Sequence, residues 1–252
     1  MNFQREHWSG SYDRTNLPRF HCPRCSKGRL HARQDYVEAQ PQYSKDECNH
    51  PDWEPGWDVE RFHMTMQCNE SVCGEIVVIS GDITVAEYYD GEIDSWALVA
   101  LLRPRSFFPA PPIIVCPKEV PALVVDQLKV SFQLFWVDLN ACANRLRISV
   151  ELLLDHFGIP RTTITKKAKQ ERLDLHGRIA IFDKTSPEHA PTLTALRLIG
   201  NLGSHGEDVN REALLDAFEI YEHSLAELCG QRSARIDQLR KKLIASKGKG
   251  GI

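Results

Sequence analysis

Leu196-Arg197-Leu198-Ile199-Gly200-Asn201-Leu202-Gly203-Ser204-His205-Gly206 is the stretch that decides how the C-terminal half of this chain is read. Leu193, Leu196, Ile199 and Leu202 recur at helical spacing, so an amphipathic helix is expected to run into it. Glycines at 200, 203 and 206 mark a place where that helix ends or packs very closely on a neighbour. Arg197, Asn201 and His205 follow one another at steps of four. Four residues drift only about 40° around a helix, so the three polar groups share one face if the helix runs that far. A guanidinium, an amide and an imidazole on one face resemble a site for phosphate.

Outward from this stretch the helical period holds from Pro121 onward. Helices are expected over 123–136 and 138–157, then through Leu173, Ile179 and Phe182, with a last core helix over 209–229. Gly158 and Pro160 end the second of these, and Thr192 or Thr194 can cap the glycine-bearing one. In the second helix Leu139, Cys142, Ala143, Leu146, Val150, Leu153 and Phe157 face a core. Asn140, Asn144, Arg147, Glu151 and Asp155 form a polar stripe beside them. The stripe is either a solvated face, with an Arg147–Glu151 pair worth a few tenths of a kcal/mol, or a wall opposite the Arg197–His205 helix. Arg161 to Arg172 is a basic connector, read as a solvated loop leading into a helix or as a contact for phosphates.

Leu196-Arg197, Gly200-Asn201, Gly203 and His205, with Arg147-Ile148-Ser149-Val150-Glu151-Leu152-Leu153 and the turn Gly158-Ile159, resemble the domain-of-unknown-function 4145 family. That prokaryotic group is placed near the HEPN superfamily, and the resemblance covers residues 117 to 229. It implies an all-α HEPN-like bundle. HEPN ribonucleases carry an arginine, a polar residue that is often Asn, a few spacers and a histidine. Asn201 and His205 fit that pattern, while Gly200 stands where the arginine would be and Arg197, one turn earlier, is the substitute. The candidate catalytic set is therefore His205, Arg197, Asn201, Arg147 and Glu151. The resemblance also implies a homodimer, and a setting in phage defence or toxin–antitoxin systems.

The N-terminal half carries different chemistry. Cys22-Pro23-Arg24-Cys25-Ser26-Lys27-Gly28 places two thiols three residues apart, a spacing that suits one metal ion, with Gly28 allowing a tight return. Cys68-Asn69-Glu70-Ser71-Val72-Cys73-Gly74 is its partner, flanked by strand-like Phe62–Met66 and Ile76–Ile79. Cys22, Cys25, Cys68 and Cys73 would close a tetrahedral structural zinc site in a zinc-ribbon-like module, with no open position for substrate. The acidic insertion between the knuckles is read as a surface loop anchored by Trp53 and Trp57. Its Cys48 and His50 are weaker candidates for extra ligands. Residues 1–19 read as an extended arm, residues 83–102 as one or two further strands, and Ile113–Cys116 as a short closing strand. Arg103-Pro104-Arg105-Ser106-Phe107-Phe108-Pro109-Ala110-Pro111-Pro112 reads as a proline-rich crossing between domains.

A net charge of −3 over 252 residues argues against a general nucleic-acid-coating protein, yet the charge is unevenly spread. Between Gln34 and Glu60 there are eight acidic residues and only Lys45 opposing them, whereas from Gly230 onward seven Lys/Arg face Asp237 alone. Any nucleic acid is therefore expected to meet the C-terminal half. The start has no apolar core of a secretory signal, and the longest apolar run is far too short to span a bilayer, so a cytoplasmic protein without a membrane partner is expected. With that compartment, eight cysteines point to metal binding and burial and not to a disulfide framework.

The expected fold class is α+β, a zinc-ribbon-like β module (1–112) followed by an all-α HEPN-like bundle (113–230) and a basic tail (231–252). The function expected is a noncatalytic nucleic-acid- or protein-interaction module, which the missing arginine at position 200 favours. The alternative is a metal-independent endoribonuclease, with His205 moving the proton and Arg197 stabilising the phosphorane formed by the RNA's own 2′-hydroxyl.

Overall fold

The computed structural model describes residues 3–92, 94–164, 169–205, 208–230 and 232–246, without the side chains of 204, 205 and 232–234. It is a mixed α+β structure whose chain divides into two compact units, one holding Met1–Ile113 with Phe132–Asp138, the other Ile114–Ser131 with Leu139–Ile252.

In the first unit, β1 (Tyr12–Asp13), β2 (Leu30–Ala32), β3 (Val37–Ala39), α1 (Gln42–Glu47), β4 (Val59–Cys68), β5 (Ile76–Asp90) and β6 (Ser95–Phe108) follow in order. The sheet is antiparallel in the order β1-β6-β5-β4-β2, with β3 also paired to β4. Strict alternation drives it: Phe62, Met64, Met66 and Cys68 are buried along β4, as are Val77, Ile79 and Ile83 along β5.

The sequence reading of a proline-rich crossing is corrected here, because β6 runs straight through Arg103-Pro104-Arg105. The register shifts at Ser80/Gly81, opposite Pro104, so the ladder is already irregular where proline lacks an N–H. A Cβ at Gly81 would sit 2.2 Å from the Arg103 carbonyl oxygen, so the close approach of the two backbones requires glycine. The crossing begins only after Phe108, and Ile113–Cys116 forms no strand.

The arm expected at 1–19 is likewise packed, with a turn of 3₁₀ helix at Arg5–Trp8 and β1 paired to β6. Trp8 and Tyr12 are buried with Phe20, Phe107, Phe135 and Trp136, the Phe107 and Trp136 rings lying 4.3 Å apart. Aromatic side chains spread over more than a hundred residues thus make this unit's core, which no local periodicity announces. The insertion is not anchored by its tryptophans, since Trp53 and Trp57 are exposed. The buried Ser44 hydroxyl ties it down instead, accepting from the Val59 N–H at 3.0 Å.

α2 (Ala122–Val137) begins in the second unit and ends in the first. The second unit continues with α3 (Leu139–His156), a small hairpin of β7 (Thr162–Ile164) and β8 (Gln170–Arg172), α4 (Leu175–Phe182), α5 (Ala190–His205), α6 (Arg211–Leu228) and α7 (Arg232–Ala245). Gly158, at φ 72°, ends α3 with the Ile159 N–H donating to the Leu154 carbonyl. The basic connector is a hairpin and not a loop feeding a helix, although Lys166 and Lys167 lie outside the described residues. α5 starts at Ala190, which puts Thr192 and Thr194 inside it and removes them as caps. Asn210 does cap α6, accepting from Ala213 N–H at 2.7 Å. Leu146, Val150, Leu153, Leu193, Leu196, Leu214, Phe218, Tyr221 and Leu225 fill the core. No helix among the described residues is long and apolar enough to cross a membrane.

Candidate metal centre and the polar seam of the helical unit

Each cysteine knuckle is built by its turn. The Ser26 N–H donates to the Cys22 carbonyl at 3.0 Å, Ser26 takes the left-handed φ of 54°, and the Gly28 N–H lies 3.4 Å from the Cys25 sulfur. In the β4–β5 turn, the Cys73 and Gly74 N–H groups both donate to the Glu70 carbonyl, and Gly74 has φ 57°. A Cβ at Gly28 would lie 2.4 Å from the Cys68 sulfur, so glycine here is required by the opposite knuckle as well as by its own turn.

These turns gather four sulfurs within 4.8 Å of one another. Cys22 and Cys73 are 3.7 Å apart, and so are Cys25 and Cys68, each pair joining the two knuckles. Metal–sulfur bonds of about 2.3 Å in a tetrahedron require sulfur–sulfur edges of about 3.8 Å, so the donor set fits a metal ion such as zinc. It does not fit disulfides, whose sulfurs lie about 2 Å apart. The Gly28 N–H beside it draws the Cys25 thiol down to about 6, while burial pushes Cys22 up to about 12. A cation in the centre would let both bind as thiolates. Cys48 lies apart from the cluster, with its sulfur 3.2 Å from an Asp58 carboxylate oxygen, and His50 stacks near Trp57. Neither joins a metal-binding group among the described residues.

In the helical unit, the polar stripe of α3 turns toward α5. A Cβ at Gly200 would lie 2.5 Å from Cβ of Arg147 and 3.1 Å from the Ala143 carbonyl oxygen. One at Gly203 would meet the Asn140 carbonyl oxygen at 2.5 Å. The glycines therefore mark a close helix crossing, and the helix continues past both to His205. Asn140 goes on to accept from the Val209 N–H at 3.0 Å.

Arg147 and Glu151 pair at 3.4 Å, about a quarter to a third exposed, and Nε of Arg147 is buried without a partner. Arg197 and Asn201 are half-buried on α5, and Nε of Arg197 is also buried without a partner. The side chain of His205 lies outside the described residues.

Arg147 and Glu151 also line a pocket of about 250 Å³, together with Arg161, Arg172, Asp174 and Arg178 among others, but Arg197 and Asn201 do not. The sequence reading missed Arg178, which is only 3% exposed. Its Nη1 donates to the Glu151 carbonyl, and its Nη2 to Asp155 at 2.7 Å and to the Ile159 carbonyl. Asp155 also holds Arg161 in a two-point contact, accepting from its Nε and Nη2. The Arg161 hydrogen bond holds the Asp155 carboxyl below the usual carboxylate range, Arg178 adding to it against partial burial. The available signal was a lone arginine inside the apolar run Leu175–Phe182.

No curated protein and no solved structure matches this chain. Two family models do match parts of it, and they fall on either side of Ile113. Residues 10–107 match Domain of unknown function (DUF8608), and residues 129–245 match Domain of unknown function (DUF4145), the family that the motifs of α3 and α5 resemble.

Proposed function

We propose that this chain is a noncatalytic RNA-interaction module, a β unit held by structural zinc joined to an HEPN-like helical unit that contacts the nucleic acid. The observation that carries it is the seam at Gly200. The position where an HEPN ribonuclease would display its arginine faces Arg147 at a distance that admits no side chain. A group buried between two helices cannot reach a scissile phosphate, and charge stabilisation at the transition state is what that arginine would supply. Zinc on Cys22, Cys25, Cys68 and Cys73 has no vacant position, so its role is to hold the two knuckles together.

The charge distribution supports contact with nucleic acid. Arg235, Arg240, Lys241 and Lys242 are exposed on α7, which also carries exposed Ile236, Leu239 and Leu243. Basic groups neutralise phosphates, and in this reading the apolar row on the same helix is covered by a second copy of the chain. Such a module would serve the defence or toxin–antitoxin setting that the resemblance implies.

Fluorescence anisotropy of a labelled single-stranded RNA tests the binding. The zinc-loaded protein should bind at low salt and weaken steeply as salt rises, and reversing Arg240, Lys241 and Lys242 to Glu should lower that salt slope by about two units or more. Absence of binding at low salt, or binding indifferent to salt, would overturn the reading.

A further inference from the structure

Four guanidinium groups around one small volume call for an explanation, because like charges repel unless something between them is anionic. Three carboxylates account for part of the arrangement. Asp155 clamps Arg161 and Arg178, Glu151 pairs with Arg147, and Asp174 is occupied in capping α4, accepting from Gly177 N–H at 2.8 Å. Four positive groups against three negative ones leave the pocket with net positive charge, and one of the three points its oxygen at a helix end.

The hydrogen-bond donors are not all used either. Nε of Arg178 and Nε of Arg147 are both buried with no partner, the former on a side chain that is 97% enclosed by its 3% exposure. An unmet donor of a buried charged group costs free energy unless a ligand or water satisfies it. Arg172, exposed at the end of β8, has no ion-pair partner among the described residues, so its guanidinium is available at the mouth. Arg161 stands across the hairpin, its neighbour Thr162 in register with Arg172. Guanidinium groups held rigidly in the pocket lining and an arginine without an ion-pair partner at its exposed side make a site prepared for a compact anion.

We propose that the pocket of Arg147, Arg161, Arg172 and Arg178 binds the terminal phosphate of an RNA strand. A phosphomonoester carries nearly two negative charges and three acceptor oxygens, which suits convergent guanidinium groups better than the single charge of an internal diester. The pocket of about 250 Å³ leaves room beyond the phosphate for part of the attached nucleoside. The assignment rests on the RNA-module reading for the source of the phosphate, but not for the anion site itself.

The test compares two oligoribonucleotides of one sequence, 5′-phosphorylated and 5′-hydroxyl, on the full zinc-loaded chain. The phosphorylated strand should bind about tenfold or more tightly, the scale of one charge-assisted hydrogen bond, and millimolar inorganic phosphate should erode the difference. Arg172→Ala, on an exposed hairpin and so expected to leave the circular dichroism unchanged, should abolish the preference while the 5′-hydroxyl strand binds as before. Equal affinities for the two strands, or a loss in Arg172→Ala that is the same for both, would overturn the proposal. If neither strand binds, the RNA reading fails, and calorimetry with inorganic phosphate and with AMP decides the pocket alone. Heat lost in Arg172→Ala upholds an anion site for free phosphates, and no heat with either probe ends it.

Discussion

At Gly200 the space left by the opposite helix decides which side chain the position can carry. On an open helix, Gly200→Ala would gain roughly 1 kcal/mol of helix propensity. Here the new methyl meets Cβ of Arg147 at 2.5 Å, and overpacking of that kind costs roughly 1–3 kcal/mol. The steric term wins, so chemical denaturation should find the variant destabilised, by up to about 2 kcal/mol; a stabilised variant would mean that α3 and α5 are not so close. Asp155 yields a second expectation at this scale. Its folded pKa is lowered by Arg161, so its contribution to stability is full above the unfolded value of about 3.9 and is lost as pH falls through the lower folded value. Asp155→Asn should therefore flatten the stability–pH profile below about pH 4 relative to the wild type, while stranding Arg178 at a cost on the order of 3 kcal/mol at neutral pH. An unchanged profile in acid would contradict the clamp.

At the scale of elements, what could be read ahead depended on how local its cause is. The knuckles were legible because two thiols and a glycine within seven residues suffice to define the turn, and α3 and α5 because period 3.6 needs only one chain segment. The strand through Arg103-Pro104-Arg105 was not, because the irregularity that tolerates Pro104 lies at Gly81 on another strand. The β7–β8 hairpin was hidden too, its charged residues resembling any solvated connector. In the candidate site Arg147 and Glu151 were legible from their spacing, but the pocket needs Arg161, Arg172 and Arg178 from three further places in the chain. Glycines 200 and 203 left two readings open, a helix end or a close crossing, and only the opposite helix decides between them. The knuckles carry the expectation for this scale. Metal analysis should find one zinc per chain, and Gly28→Ala, whose methyl would lie 2.4 Å from the Cys68 sulfur, should weaken zinc retention against a chelator. A stoichiometry well under one would contradict the structural metal.

At the scale of the whole molecule, an acidic β unit and a basic-tailed helical unit share one continuous helix, α2, whose ends belong to different cores. Ile236, Leu239, Leu243 and Ile244 leave an apolar surface exposed on α7, so light scattering should give the mass of a dimer at micromolar concentration, and truncation before Arg232 should return it to a monomer. A full-length monomer would remove the second copy and leave the units as they are. The central claim, that the helical unit binds RNA without cutting it, is tested most directly by incubating labelled single-stranded RNA with excess zinc-loaded protein and following its length on a denaturing gel. The account predicts RNA that stays intact over hours and is indistinguishable from an incubation with His205→Ala. Metal-independent cleavage that His205→Ala slows by roughly a hundredfold, the scale of a lost general acid–base group, would contradict it.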